Sequence, residues 1–176
     1  PGKLVEEIID AVKDTAHSGF RMKRRNHYFG YWLRHGSQYP DTQLRLFRKG
    51  KARFPNQHVH EKLQVDGSIG KLSNDMLHFP YQNINQFIRK FNFYTSVEAE
   101  YLKDEGLEIN FLNTLNYTLL KPSTRFIRRY FFKGGFRDGM PGLFCSLFDA
   151  LNYVVRYFKL WDLKQKNSGN RKNELL

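Results

Sequence analysis

The sequence predicts a mixed α/β chain with a core of its own. A helical apolar period opens the chain, strand-like alternation and turn chemistry occupy residues 20–79, and helical periods dominate the second half. At 176 residues and 40% hydrophobic, the chain is long enough for one ordinary domain, and a charged fraction of 26% argues against wholesale disorder.

Leu4, Val5, Ile8, Ile9 and Val12 recur at helical spacing opposite Glu6, Glu7, Asp10 and Lys13, and Gly19 is placed to stop the element. An amphipathic helix over residues 3–16 is expected. No basic stretch followed by an apolar one stands in residues 1–10, so no signal peptide is expected there. Residues 20–33 are aromatic and basic with partial alternation, which suits an extended segment. Residues 36–41 (GSQYPD) are turn chemistry. After them residues 43–47 read as a strand with Leu44 and Leu46 facing the core, closed by residues 48–51 into a hairpin with 52–54.

Residues 59–65 suit a short helix or strand, and residues 71–79 read as a strand ending before Pro80. The longest helical face joins Ile84, Phe87, Ile88, Phe91, Thr95, Glu98 and Leu102, predicting a helix over 83–105 that Gly106 stops. Further helices are expected over 122–133 and 141–163, with a polar, frayed tail after them. The most apolar stretch, residues 140–160, contains Asp149, Arg156 and Lys159, so no spanning helix is expected.

A net charge of +12 calls for an anionic partner, whether nucleic acid, anionic lipid or a sugar nucleotide. Cys145 is the only cysteine, which excludes an intrachain disulfide and a thiolate metal site and is compatible with a cytoplasmic setting.

Three clusters carry chemistry. His58, His60 and Glu61, with His78 further on, could supply a general base or metal ligands, or be surface histidines with no chemistry. Cations from Arg21 to Arg25 and from Arg45 to Arg53 interleave with Phe20, Phe47 and Phe54, as in a nucleic-acid-binding module or on a solvated sheet edge. From Lys121 to Arg137, six cations alternate with five aromatics without an acid, and the next helix is unusually apolar. Arg125, Arg128, Arg129, Phe131, Phe132 and Trp161 are the expected contacts with an anionic membrane, with oligomer contact or an ordinary packed helical hairpin as the alternatives.

The strings at 31–36 (YWLRHG), 39–47 (YPDTQLRLF), 59–61 (VHE) and 158–162 (FKLWD), in this order and spacing, resemble bacterial family 2 glycosyltransferases of the lipopolysaccharide-core glucosyltransferase type. The likeness runs from about Leu4 to Leu163. It implies the C-terminal half of a GT-A fold, whose Rossmann-like half binds a nucleotide sugar and whose Asp-x-Asp motif holds Mg²⁺ or Mn²⁺. This sequence contains no Asp-x-Asp.

By the same resemblance, Glu61 takes the place of the general base, His78 that of a histidine reaching the metal–diphosphate, and Asp41, Gln43, Arg45 and His60 those of substrate-binding residues. The implied donor is a nucleotide sugar, most simply a UDP-sugar. The implied acceptor is a lipid-linked saccharide, met by a peripheral protein on the inner face of the cytoplasmic membrane. Residues 1–110 would be catalytic, 111–165 membrane-docking or oligomerising, and 166–176 disordered, and the chain by itself would be inactive without the carboxylates that hold the metal. Nucleic acid is not an expected partner; a nucleic-acid-binding module and a non-enzymatic membrane adaptor stand as the alternatives to the enzyme.

Overall fold

A computed structural model describes residues 2–13, 16–54 and 63–173. Contacts divide the chain into two compact units, residues 1–80 and 81–176, where composition suggested one.

The first unit is built around one long strand. Helix α1 (Gly2–Lys13) precedes β1 (Gly19–Tyr28), which turns back into β2 (Tyr31–Trp32). Strand β3 (Asp41–Phe47) pairs antiparallel with β1 from Gly19 to Arg24. The short β6 (Ile69–Lys71) lies parallel to β1, and β7 (Met76–Tyr81) also pairs with it. The expected hairpin between residues 43–47 and 52–54 does not form. Strand β3 is taken by β1, Gly50 turns the chain at φ 79°, and β4 (Ala52–Arg53) pairs instead with β5 (Gln64–Val65).

The strand expected over 71–79 is two strands. Between them Glu7 of α1 accepts hydrogen bonds from the backbone N–H groups of Ser73 and Asn74 (2.5 and 2.9 Å) and from the Asn74 amide (2.8 Å), which bends residues 72–75 out of the ladder. Pro80 does not end β7; the strand runs on to Tyr81.

Side chains on a strand alternate between its faces, so Phe20, Met22, Arg24 and Asn26 share one. Phe20 and Met22 form a core with Ala11 and Leu72, against which Leu4, Ile8, Leu46 and Met76 pack. Helix α1 therefore buries the stripe 4, 8, 11, and Val5, Ile9 and Val12, also expected on the buried face, stand exposed.

The second unit is helical. Helix α2 (Ile84–Asp104) begins where the Asn83 side chain accepts from the Gln86 N–H at 2.8 Å, a standard N-cap. The sequence grouped α2 with the first 110 residues; its packing partner is α5. A helix was expected over 122–133, but helical backbone begins at Phe111, running through α3 (Phe111–Leu115), a π turn, α4 (Lys121–Ile127) and a second π turn ending at Phe132. Pro122 accounts for the first widening: it has no N–H to give Thr118, and the Lys121 N–H reaches back five residues to Asn116.

After a 3-10 turn (Gly135–Asp138), α5 (Gly139–Asn173) returns antiparallel along α3 and α4, Tyr117 stacking on Tyr157 at one level and Arg125 meeting Asp149 at another. The turn is tight: a Cβ on Gly142 would lie 2.0 Å from the Gly135 carbonyl oxygen. Ala99, Leu102, Tyr117, Tyr157 and Leu160 form the core. The tail expected to fray continues α5 to Asn173, helped by Lys164 donating to the Leu107 carbonyl (2.6 Å) and by Lys166 pairing with Asp162.

The expectation of mixed α/β structure therefore holds, with a small, mostly antiparallel sheet. A Rossmann-like layer is not among the described residues. No helix among them is long and apolar enough to cross a membrane.

Candidate active site

Among the described residues of the first unit, a polar cluster is centred on Asn26, a residue without a role in the sequence-based expectations. Its place on β1 continues the inward face of Phe20 and Met22, and it is 4% exposed. A buried amide must satisfy its hydrogen bonds. The Asn26 amide nitrogen donates to the Gln38 carbonyl (3.2 Å) and to Asp41 Oδ2 (2.9 Å). Those two acceptors fix which end of the amide is oxygen. Oδ1 therefore faces His78 Nδ1 at 2.8 Å, so His78 donates from Nδ1 and carries its lone pair, when neutral, on Nε2.

Asp41 sits opposite Arg24 across the β1–β3 pair, and Arg24 donates to its Oδ2 from Nε (2.8 Å) and Nη2 (2.6 Å). Gln43 donates to Oδ1 at 2.6 Å. Burial alone would raise the Asp41 pKa, but the hydrogen bonds from Asn26, Gln43 and Arg24, with the Arg24 charge, hold it below its ordinary value. In this structure Asp41 and Gln43 orient Arg24 and Asn26, and through Asn26 they orient His78. Arg45 differs. The β1–β3 register steps from Phe20↔Leu46 to Arg21↔Leu44, leaving Arg45 as the extra residue of a bulge, exposed.

On the other face of β1, Asp75 gathers Arg25 Nε (2.7 Å) and the Tyr39 hydroxyl (2.9 Å) on one oxygen, with Lys23 at 3.9 Å from the other. The Arg25 and Arg34 guanidinium carbons lie 4.6 and 4.3 Å from the centroid of the Trp32 ring, and Tyr39 meets that ring edge-on. Beside this cluster opens a cleft of about 530 Å³ lined by Lys3, Glu6, Arg25, Asn74, Asp75 and Leu77. Both charge signs and an amide line it.

Glu61 and His60, with His58, lie outside the described residues, so the expected base has no described distance to His78. No three His, Cys, Asp or Glu side chains converge on a metal position among the described residues. One imidazole does not make a site for Mg²⁺ or Mn²⁺, which take mostly oxygen ligands in octahedral array. The residues present do not fit the metal by themselves.

In the second unit the six expected membrane residues separate. Arg125 and Arg129 turn toward Asp149 of α5: Arg125 pairs with it through Nε, and Arg129 Nη1 lies 2.8 Å from its Oδ2. Burial would raise the Asp149 pKa, yet the Arg125 hydrogen bond and the Arg129 charge hold it down. Arg128, Phe131 and Phe132 are exposed at the turn end of the hairpin, and Trp161 is half-exposed toward the other end of α5.

The chain is similar to the lipopolysaccharide core biosynthesis glycosyltransferase LpsC of Rhizobium meliloti, with 28% identity over 161 residues that cover 90% of this chain and 57% of that protein. It is also similar to an uncharacterized glycosyltransferase of Rickettsia felis (27% identity; 94% of this chain, 70% of the relative) and to the uncharacterized glycosyltransferase RP128 of Rickettsia prowazekii (27%; 93% and 62%). The chain thus has distant glycosyltransferase homologues along nearly all of its length, and it spans a little over half the length of the first. No protein-family model matches the chain, and no solved structure matches it significantly.

Proposed function

We propose that this chain is the acceptor-side part of an inverting family 2 glycosyltransferase that moves a hexose from a nucleotide sugar, a UDP-sugar in the simplest case, to a lipid-linked saccharide of the cell envelope, with lipopolysaccharide core as the leading candidate. The observation that carries the proposal is the extent of the glycosyltransferase likeness: it covers 90% of the chain, the Asn26 network and the helical hairpin alike.

In this reading Glu61 removes the proton from the acceptor hydroxyl as that oxygen attacks the anomeric carbon. The bond from that carbon to the diphosphate breaks on the opposite side, and the nucleoside diphosphate departs. A carboxylate suits the task because the hydroxyl becomes acidic only as the new bond forms. His78, aimed by Asn26, faces the diphosphate, where its imidazolium form donates from Nε2 to the developing charge. Arg45 and His60 contact substrate, while Asp41 and Gln43 act by holding the network. Any Mg²⁺ or Mn²⁺ would take its carboxylates from outside the described residues, and no step here runs through it. The lipid-linked acceptor places the work at the inner face of the cytoplasmic membrane.

Pairing of Arg24 with Asp41 and of Arg25 with Asp75 removes two cations from the set a nucleic-acid module would use, which leaves the enzyme as the favoured reading. The test is sugar transfer by the full-length protein from labelled nucleotide sugars to lipid-linked saccharides, with the anomeric configuration of the product determined. Inverted product is expected, with kcat lowered about 10²–10⁴-fold in Glu61→Gln, and residues 1–176 alone are expected to transfer nothing. Retained configuration, or full activity in Glu61→Gln, would overturn the mechanism.

A further inference from the structure

The turn between α4 and α5 is an exposed apolar tip ringed by cations. Phe131, Phe132, Phe136 and Met140 cluster there in sequence and are exposed, Phe132 by 82% and Met140 by 75%. Arg128, Lys133 and Arg137 are exposed among them, and Asp138 is the only carboxylate between Arg125 and Met140. An exposed apolar patch rimmed by polar residues marks an interaction surface.

The structure also separates the cations that can meet a ligand from those that cannot. Arg125 and Arg129, on the same helical stretch, share Asp149. Half of their charge is offset within the hairpin, and Arg128, Lys133 and Arg137 carry the exposed charge at the turn. Close packing of Gly135 against the Arg129 carbonyl and Ser146, and of Gly142 against Gly135, holds the turn in one shape.

We infer that this tip, residues 128–140, is a membrane-inserting element whose occupant is an anionic lipid surface. Phe131, Phe132, Phe136 and Met140 enter the acyl boundary while Arg128, Lys133 and Arg137 meet phosphate headgroups. The arrangement fits lipid because apolar and cationic side chains alternate around the end of a helical hairpin, so apolar groups can descend together while cations stay at headgroup depth. A protein partner would call for a face of about 800 Å² with few charges at its centre. The lipid-linked acceptor gives this contact a purpose, but the exposed aromatics and cations that carry it are independent of sugar transfer.

The experiment is co-sedimentation of the 176-residue chain with vesicles of phosphatidylcholine alone and with one quarter phosphatidylglycerol. Binding is expected only to the anionic vesicles. Loss of roughly tenfold in partition is expected for Phe132→Ser, from the apolar area withdrawn, and roughly fivefold for each of Arg128→Gln and Lys133→Gln. Phe111→Ser, as exposed but at the opposite end of the hairpin, should bind as the wild type does, with far-ultraviolet circular dichroism showing all variants folded. As a second readout, Phe132→Trp should show indole fluorescence quenched by brominated acyl chains beyond that of the parent chain. Equal binding to neutral vesicles, an unaffected Phe132→Ser variant, or a dimer in light scattering that Phe132→Ser dissociates would each overturn the inference. Vesicle binding and sugar transfer are read separately, so failure of one does not imply failure of the other.

Discussion

Each unit holds a half-buried aspartate, Asp41 against one arginine and two amides and Asp149 between two arginines, and the two clamps do different work. In the first, Asp41 holds Arg24, Asn26 and Gln43, and Asn26 passes the constraint on to His78. In the second, Asp149 holds Arg125 and Arg129, and the constraint joins α4 and the following π turn to α5. Both centre on an aspartate that accepts from arginine. What separates a positioning network from a fastening is the next partner along the chain of hydrogen bonds, an imidazole in one case and helix packing in the other.

The largest effect that would sharpen this contrast is on the fastening. Asp149→Ala leaves two guanidinium groups without their shared anion and should lower stability by about 2–4 kcal/mol, read by thermal unfolding. In the full-length protein, transfer per folded molecule should stay within about twofold, an ordinary small-change margin. Loss of turnover without loss of stability would erase the distinction. Asn26→Ala should destabilise by about 1–3 kcal/mol through the stranded Asp41 and Gln38 acceptors, and unlike Asp149→Ala it should also lower kcat. Acid tests both clamps at once. Asp41 and Asp149 have folded pKa values below their ordinary 3.8, so their stabilisation is complete above that value and is lost as pH falls through the lowered folded values. A flat stability profile from neutral pH to about 5, then a fall below about 4, is expected in denaturant titrations. The smallest effect belongs to Arg128→Ala, exposed at the hairpin tip, which should change stability by less than about 0.5 kcal/mol.

The contrast also shows where sequence reading reaches and where it stops. Periodicity located α1 and α2 to within a few residues, because each carries a clear apolar face and a cap or stop signal. It misassigned the partner of β3, since a strand's own residues do not say which neighbour takes its edge; the long β1 took it, and β4 went to β5. Arg125, Arg128 and Arg129 look alike as letters. Only the antiparallel return of α5 brings Asp149 to two of them and leaves the third outward. Asn26 was legible in principle, as a polar residue on the inward side of an alternating strand that begins with Phe20 and Met22, and this signal passed unread. Asp75, fifty residues from Arg25, carried no such signal.

The buried Asn26 amide holds His78 by its Nδ1, and its proposed role is to aim that imidazole at the reacting groups. A double-mutant cycle on sugar transfer by the full-length protein tests it most directly, with Asn26→Ala, His78→Ala and both together. Strong non-additivity is predicted: once His78 is gone, removing Asn26 should cost little further kcat, because its effect runs through the imidazole. Losses in kcat that multiply independently would show that Asn26 does not act through His78.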